Sequence, residues 1–299
     1  MKQAILYVFS GTGNTWAVAG YYQKALSSTF QTERVAITVD GGHMPNPQPY
    51  DLVALGFPVH AFNAPEIVVR FAKVLPASKK PCFLFTTSGE GVRLNDVSTR
   101  LPARILEKKG YRVLSVRHYV MPYNIIFRHS DAMVRQMVLY AKALVPLHAS
   151  DVLKENKETL RYPLWERVLS FLFRIEWPFC RIEGLMMHAD PHTCTLCKAC
   201  VARCPMHGIS VKNKRIHFSS ACCICLRCSL DCPQNAISLG LLNGWKVNGP
   251  YPLETLAADK ALPFPVSPKE LFFTKRYFSE CDETLLMHGI DPASLPERI

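Results

Sequence analysis

The first half of the chain alternates short, continuous apolar runs with longer segments in which apolar residues recur every three or four positions. The runs lie at residues 4–9, 35–39, 51–59, 81–89 and 111–120, and the helical patterns lie at 16–27, 65–75, 95–110 and 130–145. Apolar runs of strand length indicate strands that are buried on both faces. Alternating β and α elements therefore predict a parallel sheet with right-handed crossovers and covering helices.

The first apolar run leads directly into a glycine-containing loop that opens a predicted helix. The loop consists of Ser10, Gly11, Thr12, Gly13, Asn14 and Thr15. Backbone amides and hydroxyls at a helix N-terminus bind phosphate without needing lysine. The loop is neither a GxxxxGK[ST] loop nor a GxGxxG loop. It suits the phosphate monoester of a tightly held cofactor, and an ordinary capped glycine turn is the alternative.

The full stretch FSGTGNT after a buried strand resembles the phosphate loop of flavodoxins, which bind FMN. The resemblance implies a flavodoxin-like doubly wound sheet, in strand order 2-1-3-4-5, over residues 1–150. Ligands of such sheets lie beyond the carboxyl ends of strands one and three, where the strand order reverses.

Two further loops are expected to hold the flavin ring. The candidates are Pro58, Val59, His60, Phe62 and Asn63, together with Phe57, after the third strand, and Thr87, Ser88 and Gly89 after the fourth. Flavodoxins often stack a tryptophan or tyrosine on the ring, and neither loop contains one. Tyr123 and Asn124, after the fifth strand, are therefore additional candidates.

A different pattern occupies residues 189–240, where a cysteine motif occurs twice. Cys194, Cys197, Cys200 and Cys204 follow the spacing C-x2-C-x2-C-x3-C-P, and Cys222, Cys225, Cys228 and Cys232 repeat it 28 residues later. A zinc module or a disulfide framework is the alternative, but zinc favours two separated C-x2-C pairs and disulfides need an oxidising compartment. Each copy ends in a predicted turn and a strand beginning at Ile209 or Ile237. Cys223 lies outside both runs and is expected to be a packed thiol.

This repeat resembles the two-cluster bacterial ferredoxins, in which the fourth cysteine of each run ligates the other cluster. The resemblance implies one 4Fe-4S cluster on Cys194, Cys197, Cys200 and Cys232. It implies a second 4Fe-4S cluster on Cys222, Cys225, Cys228 and Cys204. The predicted fold of residues 189–240 is accordingly an appended α+β, ferredoxin-like domain.

Composition narrows the choice of partners. The 299 residues carry a formal charge of +11, and 48% of them are hydrophobic. Two ligated clusters and a flavin phosphate would bring the net charge to about +5. The basic residues form no stripe with interleaved aromatics, so nucleic acid is not expected as a partner, whereas an acidic redox protein is. The sequence contains no signal-peptide pattern or transmembrane run, and its twelve cysteines favour a reducing cytoplasm.

Residues 151–188 form a predicted helical bridge whose apolar residues cover most of its surface. We expect it to pack between the two modules, with docking on a membrane surface as the alternative, and we expect Pro178 to end it. The tail, residues 241–299, is rich in proline and is expected to wrap the preceding domains.

The whole pattern resembles the flavodoxin–ferredoxin fusion proteins of anaerobic bacteria that are called ferrodoxins. The resemblance implies an electron-transfer iron-sulfur flavoprotein, because a flavin exchanges electrons in pairs or singly and each cluster exchanges one. One alternative is an FMN-dependent reductase of a quinone or nitro compound, fed by the clusters. Another is a metal-stabilised interaction module with no redox task. The sequence contains no nicotinamide site and no nucleophile with its base, which favours an electron carrier over an enzyme.

Overall fold

The computed structural model describes residues 1–39, 44–158, 161–247 and 249–298. Its centre is a five-stranded parallel sheet in the order β2-β1-β3-β4-β5. The strands are β1 (Lys2–Val8), β2 (Phe30–Ala36), β3 (Leu52–Pro58), β4 (Pro81–Ser88) and β5 (Arg112–Val120). This strand order confirms the predicted flavodoxin-like sheet.

Helices cover both faces of the sheet. They are α1 (Asn14–Leu26), α2 (Glu66–Val74), α3 (Arg100–Lys108) and α4 (Asp131–Leu153), with a 3-10 helix over Arg93–Thr99 before α3. Alternate residues of β1 point to opposite faces, so that Leu6 and Val8 pack with α1 and α4. Ile5 and Tyr7 pack with α2 and α3. The sheet is therefore buried on both sides, as its continuous apolar runs predict.

The structure corrects one predicted strand. The apolar run at 35–39 predicts the second strand, whereas β2 is Phe30–Ala36 and pairs from Lys2↔Phe30 to Val8↔Ala36. As an edge strand, β2 exposes polar residues such as Gln31 and Glu33, which interrupt the apolar signal. Two helices are also longer than predicted, because α1 begins at Asn14 and α4 continues through Pro146 to Leu153.

The bridge consists of two helices, α5 (Leu164–Phe173) and α6 (Glu176–Met186). The prediction that Pro178 ends the helix is wrong. This proline lies in the first turn of α6, where its missing N–H would have no partner within the helix. The expected packing between the modules holds for one side of α6 only. At Gly184 that side approaches Ser219 and Cys222 so closely that a Cβ would lie 2.6 Å or less from them.

We call residues 189–240 the cysteine module. Its elements, with the strand that leads into it, are β6 (His188–Ala189), α7 (Ala199–Arg203), β7 (Ile209–Lys212), β8 (Arg215–Phe218), α8 (Arg227–Leu230) and β9 (Ile237–Ser238). Two antiparallel pairs, β6 with β9 and β7 with β8, enclose the two short helices. Strands begin at Ile209 and Ile237, as the internal repeat predicts.

The tail packs against the flavodoxin-like part of the chain. It contains α9 (Leu253–Ala258), α10 (Lys275–Met287) and α11 (Leu295–Arg298), with 3-10 helices at Gly240–Trp245, Pro268–Leu271 and Pro292–Ser294. Leu256, Phe278, Leu285 and Leu295 join the same core as α1 and α4. None of the helices in the described ranges is long and apolar enough to cross a bilayer.

Gly56 in β3 provides a test of the sheet packing. A Cβ at this position would lie 2.2 Å from the ring of Phe85, which is fully buried and has no room to turn away. We expect Gly56→Ala to lower the free energy of unfolding by about 1–3 kcal/mol, measured as a shift in the urea midpoint by circular dichroism. Gly244→Ala, which meets nothing within 4 Å, is the control. Equal midpoints for the two variants would contradict the packing described.

Candidate functional site

A cavity of about 510 Å³ lies at the carboxyl edge of the sheet, which is within the usual size range of cofactor sites. Most of the predicted flavin residues line it, namely Ser10, Gly11, Thr12, Asn14, Thr15, Pro58, Val59, His60, Phe62, Thr87, Ser88 and Gly89. Tyr123 and Asn124 line it from the loop after β5. The turn Ile224, Cys225, Leu226 of the cysteine module lines it from the opposite side. Gly13 and Asn63 do not contribute to its lining.

The loop before α1 is held by its own side chains. Gly13 adopts a positive φ of 103°, and Ser10 Oγ accepts hydrogen bonds from the amides of Gly13 (3.2 Å) and Trp16 (3.3 Å). Thr15 Oγ1 lies 2.8 Å from Thr87 Oγ1, and Asn14 Nδ2 donates to the Pro122 carbonyl at 2.7 Å. These bonds join the loop to the loops after β4 and β5.

Thr12 differs from its neighbours in this loop. Its side chain lines the cavity, and its hydroxyl forms no hydrogen bond to any residue that the structure describes. It stands at the N-terminus of α1, a helix of 13 residues whose dipole favours an anion. The arrangement therefore fits a phosphate group, which Thr12 and the nearby amides would bind.

Arg227 supplies the positive charge that the loop's own sequence lacks. Its guanidinium donates from Nε to the Gly11 carbonyl at 3.1 Å, from Nη2 to the Ser10 carbonyl and from Nη1 to the Arg203 carbonyl at 3.1 Å. The contact joins residues that are more than 200 positions apart in the chain. No sequence signal identifies it, because Arg227 is an unremarkable residue between two cysteines.

The loop after β3 forms a tight hairpin at the cavity wall. His60 and Asn63 exchange backbone hydrogen bonds of 2.9 and 2.8 Å, and Ala61 and Phe62 between them both have positive φ. His60 Nδ1 lies 3.3 Å from Glu176 on α6, and the Phe62 ring packs edge-on against Phe173 of α5 at 5.0 Å. The bridge therefore closes this side of the cavity.

The structure places two of the predicted ring contacts in this loop outside the cavity lining. Phe57 is fully buried among the residues packed on α2. Asn63 is also buried, and its amide donates to the Ala61 carbonyl at 2.9 Å and to the Ser170 carbonyl at 2.8 Å. Its Oδ1 accepts from Ser170 Oγ at 2.9 Å and from Arg174. Asn63 therefore attaches α5 to the loop and has no group left for a cofactor.

The loop after β4 is fixed by a polar network around Ser88. Its hydroxyl donates to the Glu90 carbonyl at 2.7 Å and accepts from Asn95 Nδ2 at 2.9 Å. It also lies 2.7 Å from Nε2 of His118. Burial lowers the pKa of His118 to about 4, so its ring is neutral at neutral pH. The Ser88 hydroxyl is thus fully bonded, which leaves the backbone of this loop to face the cavity.

Tyr123 brings to the cavity a tyrosine, which neither of the two predicted ring loops contains. A Cβ on Gly89 would lie 2.4 Å from the Tyr123 ring, so the glycine lets the ring lie on the loop. The Tyr123 ring also stacks on His129, with 5.8 Å between centroids. Next to it, Oδ1 of Asn124 is buried and has no hydrogen-bond partner among the residues that the structure describes. An unpaired buried amide oxygen in a cavity wall fits a ligand that carries a hydrogen-bond donor, as the flavin ring does.

The eight motif cysteines line two further cavities. One is lined by Cys194, Cys197, Cys200 and Cys232, and the other by Cys204, Cys222, Cys225 and Cys228. Each set takes three cysteines from one motif and the fourth from the other. Within the described ranges, no three His, Cys, Asp or Glu residues form a group that could hold one metal ion. A 4Fe-4S cube does not require such a group, because each of its four thiolates binds a different iron ion.

The backbone conformation repeats with the cysteine motif. At three matching positions of the two copies, residues other than glycine adopt φ between 47° and 63°, namely Leu196, Lys198, His207, Ile224, Leu226 and Asn235. Each such residue costs on the order of 1–3 kcal/mol and persists only where its surroundings determine it. Backbone amides also donate to sulfur, from Gly208 to Cys204 at 3.3 Å and from Ala236 to Cys232 at 3.4 Å. These features fit thiolates that point inward around a common ligand.

Cys223 is not one of the eight cysteines that form the two motifs. It is buried in the core that also contains β3 and α2, with Trp177 and Met206 packed against the same core. Its predicted role as a packed thiol is therefore confirmed, although it also forms part of the wall of the second cysteine cavity.

Comparisons with known proteins add only a weak likeness to flavodoxins. No family model and no curated protein matches the chain. Flavodoxin 1 of Bacillus cereus is 15% identical, with 51% of this chain and 98% of the flavodoxin aligned and a TM-score of 0.37. A flavoprotein of Lactobacillus acidophilus in complex with FMN is 16% identical over 40% of this chain and 93% of its own, with a TM-score of 0.31. The fold assignment therefore depends on the strand order of the sheet.

Arg227 allows a test of the contact between the cysteine module and the loop before α1. Arg227→Met removes two charged hydrogen bonds to that loop, each worth about 1.5–3 kcal/mol. We expect faster amide exchange in residues 10–16, measured by hydrogen-exchange mass spectrometry. Arg215→Met, at an exposed position of β8 in the same module, is the control and should leave this exchange unchanged. Unchanged exchange in Arg227→Met would show that Arg227 does not stabilise the loop.

Proposed function

We propose that the protein transfers electrons between FMN, held in the cavity at the sheet edge, and two 4Fe-4S clusters held by the eight motif cysteines. The main support for this proposal is that the cavity at the sheet edge and the second cysteine cavity share a wall. Ile224, Cys225 and Leu226 line both the cavity at the sheet edge and the second cysteine cavity. A cofactor in each cavity would be separated by little more than one turn of backbone.

The residues of the sheet-edge cavity have distinct tasks under this proposal. Thr12 and the amides of its loop bind the phosphate, with Arg227 lowering the cost of the added negative charge. The backbone of residues 87–89 and the Asn124 amide bind the polar edge of the ring, and Phe62 and Tyr123 offer flat apolar surfaces. FMN supplies chemistry in which electrons are exchanged in pairs or singly, whereas a cluster exchanges one.

The two cysteine sets divide into a near and a far site. Cys204, Cys222, Cys225 and Cys228 form the near site, because Cys225 also borders the sheet-edge cavity. Cys194, Cys197, Cys200 and Cys232 form the far site, with Cys194 and Cys200 half-buried and Cys197 exposed. An exposed far site suits exchange with a partner protein, and the formal charge of +11 favours an acidic partner.

The phosphate loop can be tested through its unpaired hydroxyl. Thr12→Val keeps the shape of the side chain and removes its hydroxyl, which would otherwise donate to a charged acceptor. We expect FMN affinity to fall by about tenfold to a hundredfold, corresponding to about 1.5–3 kcal/mol, measured by titrating the apoprotein and following flavin fluorescence. Thr29→Val, beyond the opposite end of α1, is the control. Unchanged affinity would place the phosphate elsewhere.

In the proposed arrangement, the fourth cysteine of each motif binds the cluster of the other motif. Replacing one or the other of these two cysteines should therefore affect different clusters. The intact protein should contain about eight iron and eight sulfide ions per chain. Cys204→Ser should damage the near cluster and Cys232→Ser the far one, although each residue belongs to the other cluster's motif. When the flavin is photoreduced in dilute anaerobic protein, transfer to a cluster should survive in Cys232→Ser and be lost in Cys204→Ser. The measurement is transient absorption, with cluster content followed by Mössbauer spectroscopy.

Two outcomes would contradict the proposed relay. Stoichiometric zinc without acid-labile sulfide would remove the iron-sulfur assignment. A transfer rate that rises with protein concentration would mean that electrons pass between molecules. Comparing the two serine variants by circular dichroism separates loss of one cluster from general unfolding.

The mouth of the sheet-edge cavity favours a second function, the reduction of a small molecule at the flavin. Ile126, Phe173 and Trp245 line it and are 55%, 39% and 57% exposed, which forms an apolar entrance beside the predicted ring site. Such an entrance suits a flat apolar acceptor such as a quinone. If the protein is a reductase, the reduced form should turn over a soluble quinone without any partner protein. If it is only a carrier, turnover should require a partner.

A further inference from the structure

The first bridge helix, α5, turns its polar residues inward. On α5 the buried side chains are Glu166 and Ser170, which are 2% and 4% exposed. The large apolar side chains on the same helix point to solvent, and Trp165, Phe171 and Leu172 are 60%, 64% and 61% exposed. The prediction that the apolar surface of the bridge is covered by the two modules is therefore wrong for most of α5.

Exposed apolar residues also occur on α6 and in the turn that joins it to α5. Together with those of α5, they follow intervals of four and three residues at Leu164, Val168, Phe171, Ile175, Pro178, Ile182 and Leu185. We call these residues, with Trp165 and Leu172, the bridge face. Every one of them is exposed. An apolar stripe of this extent on a monomer marks a surface that associates with something else.

Directional polar contacts hold the bridge face outward. Ser170 hydrogen-bonds Asn63, and the Glu183 carboxylate accepts the backbone amides of Leu241 and Leu242 at 3.1 and 3.0 Å. Arg181 forms an ion pair with Glu66 at 2.9 Å. Rotating either helix to bury its apolar side would break these bonds.

A group of basic residues borders the α5 half of this face. Arg100, Arg104, Lys157, Arg161 and Arg167 line one groove, and no carboxylate of the described residues lies within ion-pair distance of them. Two carboxylates also line the groove, Glu107 and Glu158, and Glu158 is paired with Arg117. Burial is the main cause that lowers the pKa of Arg100, and the charges of Arg167, Arg104 and Arg174 lower this pKa further. The second effect indicates an excess of positive charge in this region.

We propose that the bridge face docks on a lipid bilayer containing anionic phospholipids. Helices that lie in the plane of a membrane surface combine exposed aromatic and aliphatic residues on one side with arginines at the border. The charge argues against a second copy of the chain, because a two-fold interface would bring equal arginine groups towards each other. It agrees with anionic headgroups, which the unpaired arginines can bind bidentately.

Docking in this way has a consequence that rests on the proposed function. Phe173 of α5 and Phe179 of α6 line the sheet-edge cavity, so the cavity mouth adjoins the docked helices. A docked protein would hold that mouth at the lipid surface, within reach of an acceptor dissolved in the bilayer. The docking itself requires no cofactor chemistry.

Vesicle sedimentation of the oxidised, full-length holoprotein tests the docking independently of electron transfer. We expect binding to vesicles of phosphatidylcholine mixed with phosphatidylglycerol, weaker binding to phosphatidylcholine alone, and loss of binding as salt is raised. Phe171→Glu combined with Leu172→Glu should weaken binding about tenfold or more. Phe272→Glu combined with Leu286→Glu is the matched control, because these residues are 81% and 60% exposed on the tail. Arg104→Glu combined with Arg167→Glu should abolish the preference for the anionic vesicles.

Three outcomes would overturn the proposal. The first is equal binding by the two double-glutamate variants, and the second is absence of binding to either vesicle by the wild-type protein. The third is a wild-type dimer, seen by light scattering, that Phe171→Glu and Leu172→Glu convert to a monomer, which would assign the face to self-association. Circular dichroism and cofactor content of each variant exclude misfolding as the cause.

Discussion

The close contact between the backbones of Gly11 and Cys225 holds the cysteine module against the parallel sheet with its helices. A Cβ on Gly11 would lie 2.1 Å from the Cys225 carbonyl oxygen, so only glycine permits this approach. From the same turn, Arg227 donates to the carbonyls of Ser10 and Gly11. The loop before α1 and the second cysteine motif are therefore one structure, although the chain connects them through more than 200 residues. Any ligand of that loop is bound by a site that both modules complete.

The cysteine module depends on more than its own apolar core. Its core cluster has few buried residues, namely Met187 just before the module and Leu226, Leu230, Ile237 and Leu239 within it. Six residues other than glycine have a positive φ at matching positions of its two motifs, which strains the backbone there. Small domains with so little core are usually stabilised by disulfides or metals. Under the proposed function, ligation of two clusters supplies that stabilisation and fixes the left-handed turns. Folding of the module, loading of its clusters and closure of the sheet-edge cavity would then be coupled.

The sequence predicted the features that depend on local pattern. The parallel sheet agrees with the structure, because strand periodicity is recorded in neighbouring residues. The spacing of the cysteines is equally local, and it is the basis of the crossed sets in the proposed function. The features that the sequence missed depend on distant contacts. The position of β2 differs from the prediction because exposed polar residues of this edge strand, such as Gln31 and Glu33, interrupt its apolar run. Nothing in the sequence around Asn63 indicates its contact with Ser170, which is 107 positions away. Nothing around Arg227 indicates its contact with Ser10 and Gly11, because these partners lie in another module.

The bridge shows that a hydrophobic pattern predicts which residues share one side of a helix. It does not predict whether that side faces the core or the solvent. Apolar spacing at three and four residues divides α5 and α6 into two sides, and burial of the apolar side is the usual outcome. Here the buried side carries Ser170 and Glu183, whose partners are Asn63 and two backbone amides. Leaving a large apolar side chain exposed forgoes about 1.5–3 kcal/mol of burial. The exposed apolar side chains of the bridge can still gain this free energy by binding to another surface. Hydrogen bonds and ion pairs prevent the helices from rotating to bury these side chains within the chain. The orientation of the bridge therefore favours contact with a surface outside the chain over additional stability of the chain itself.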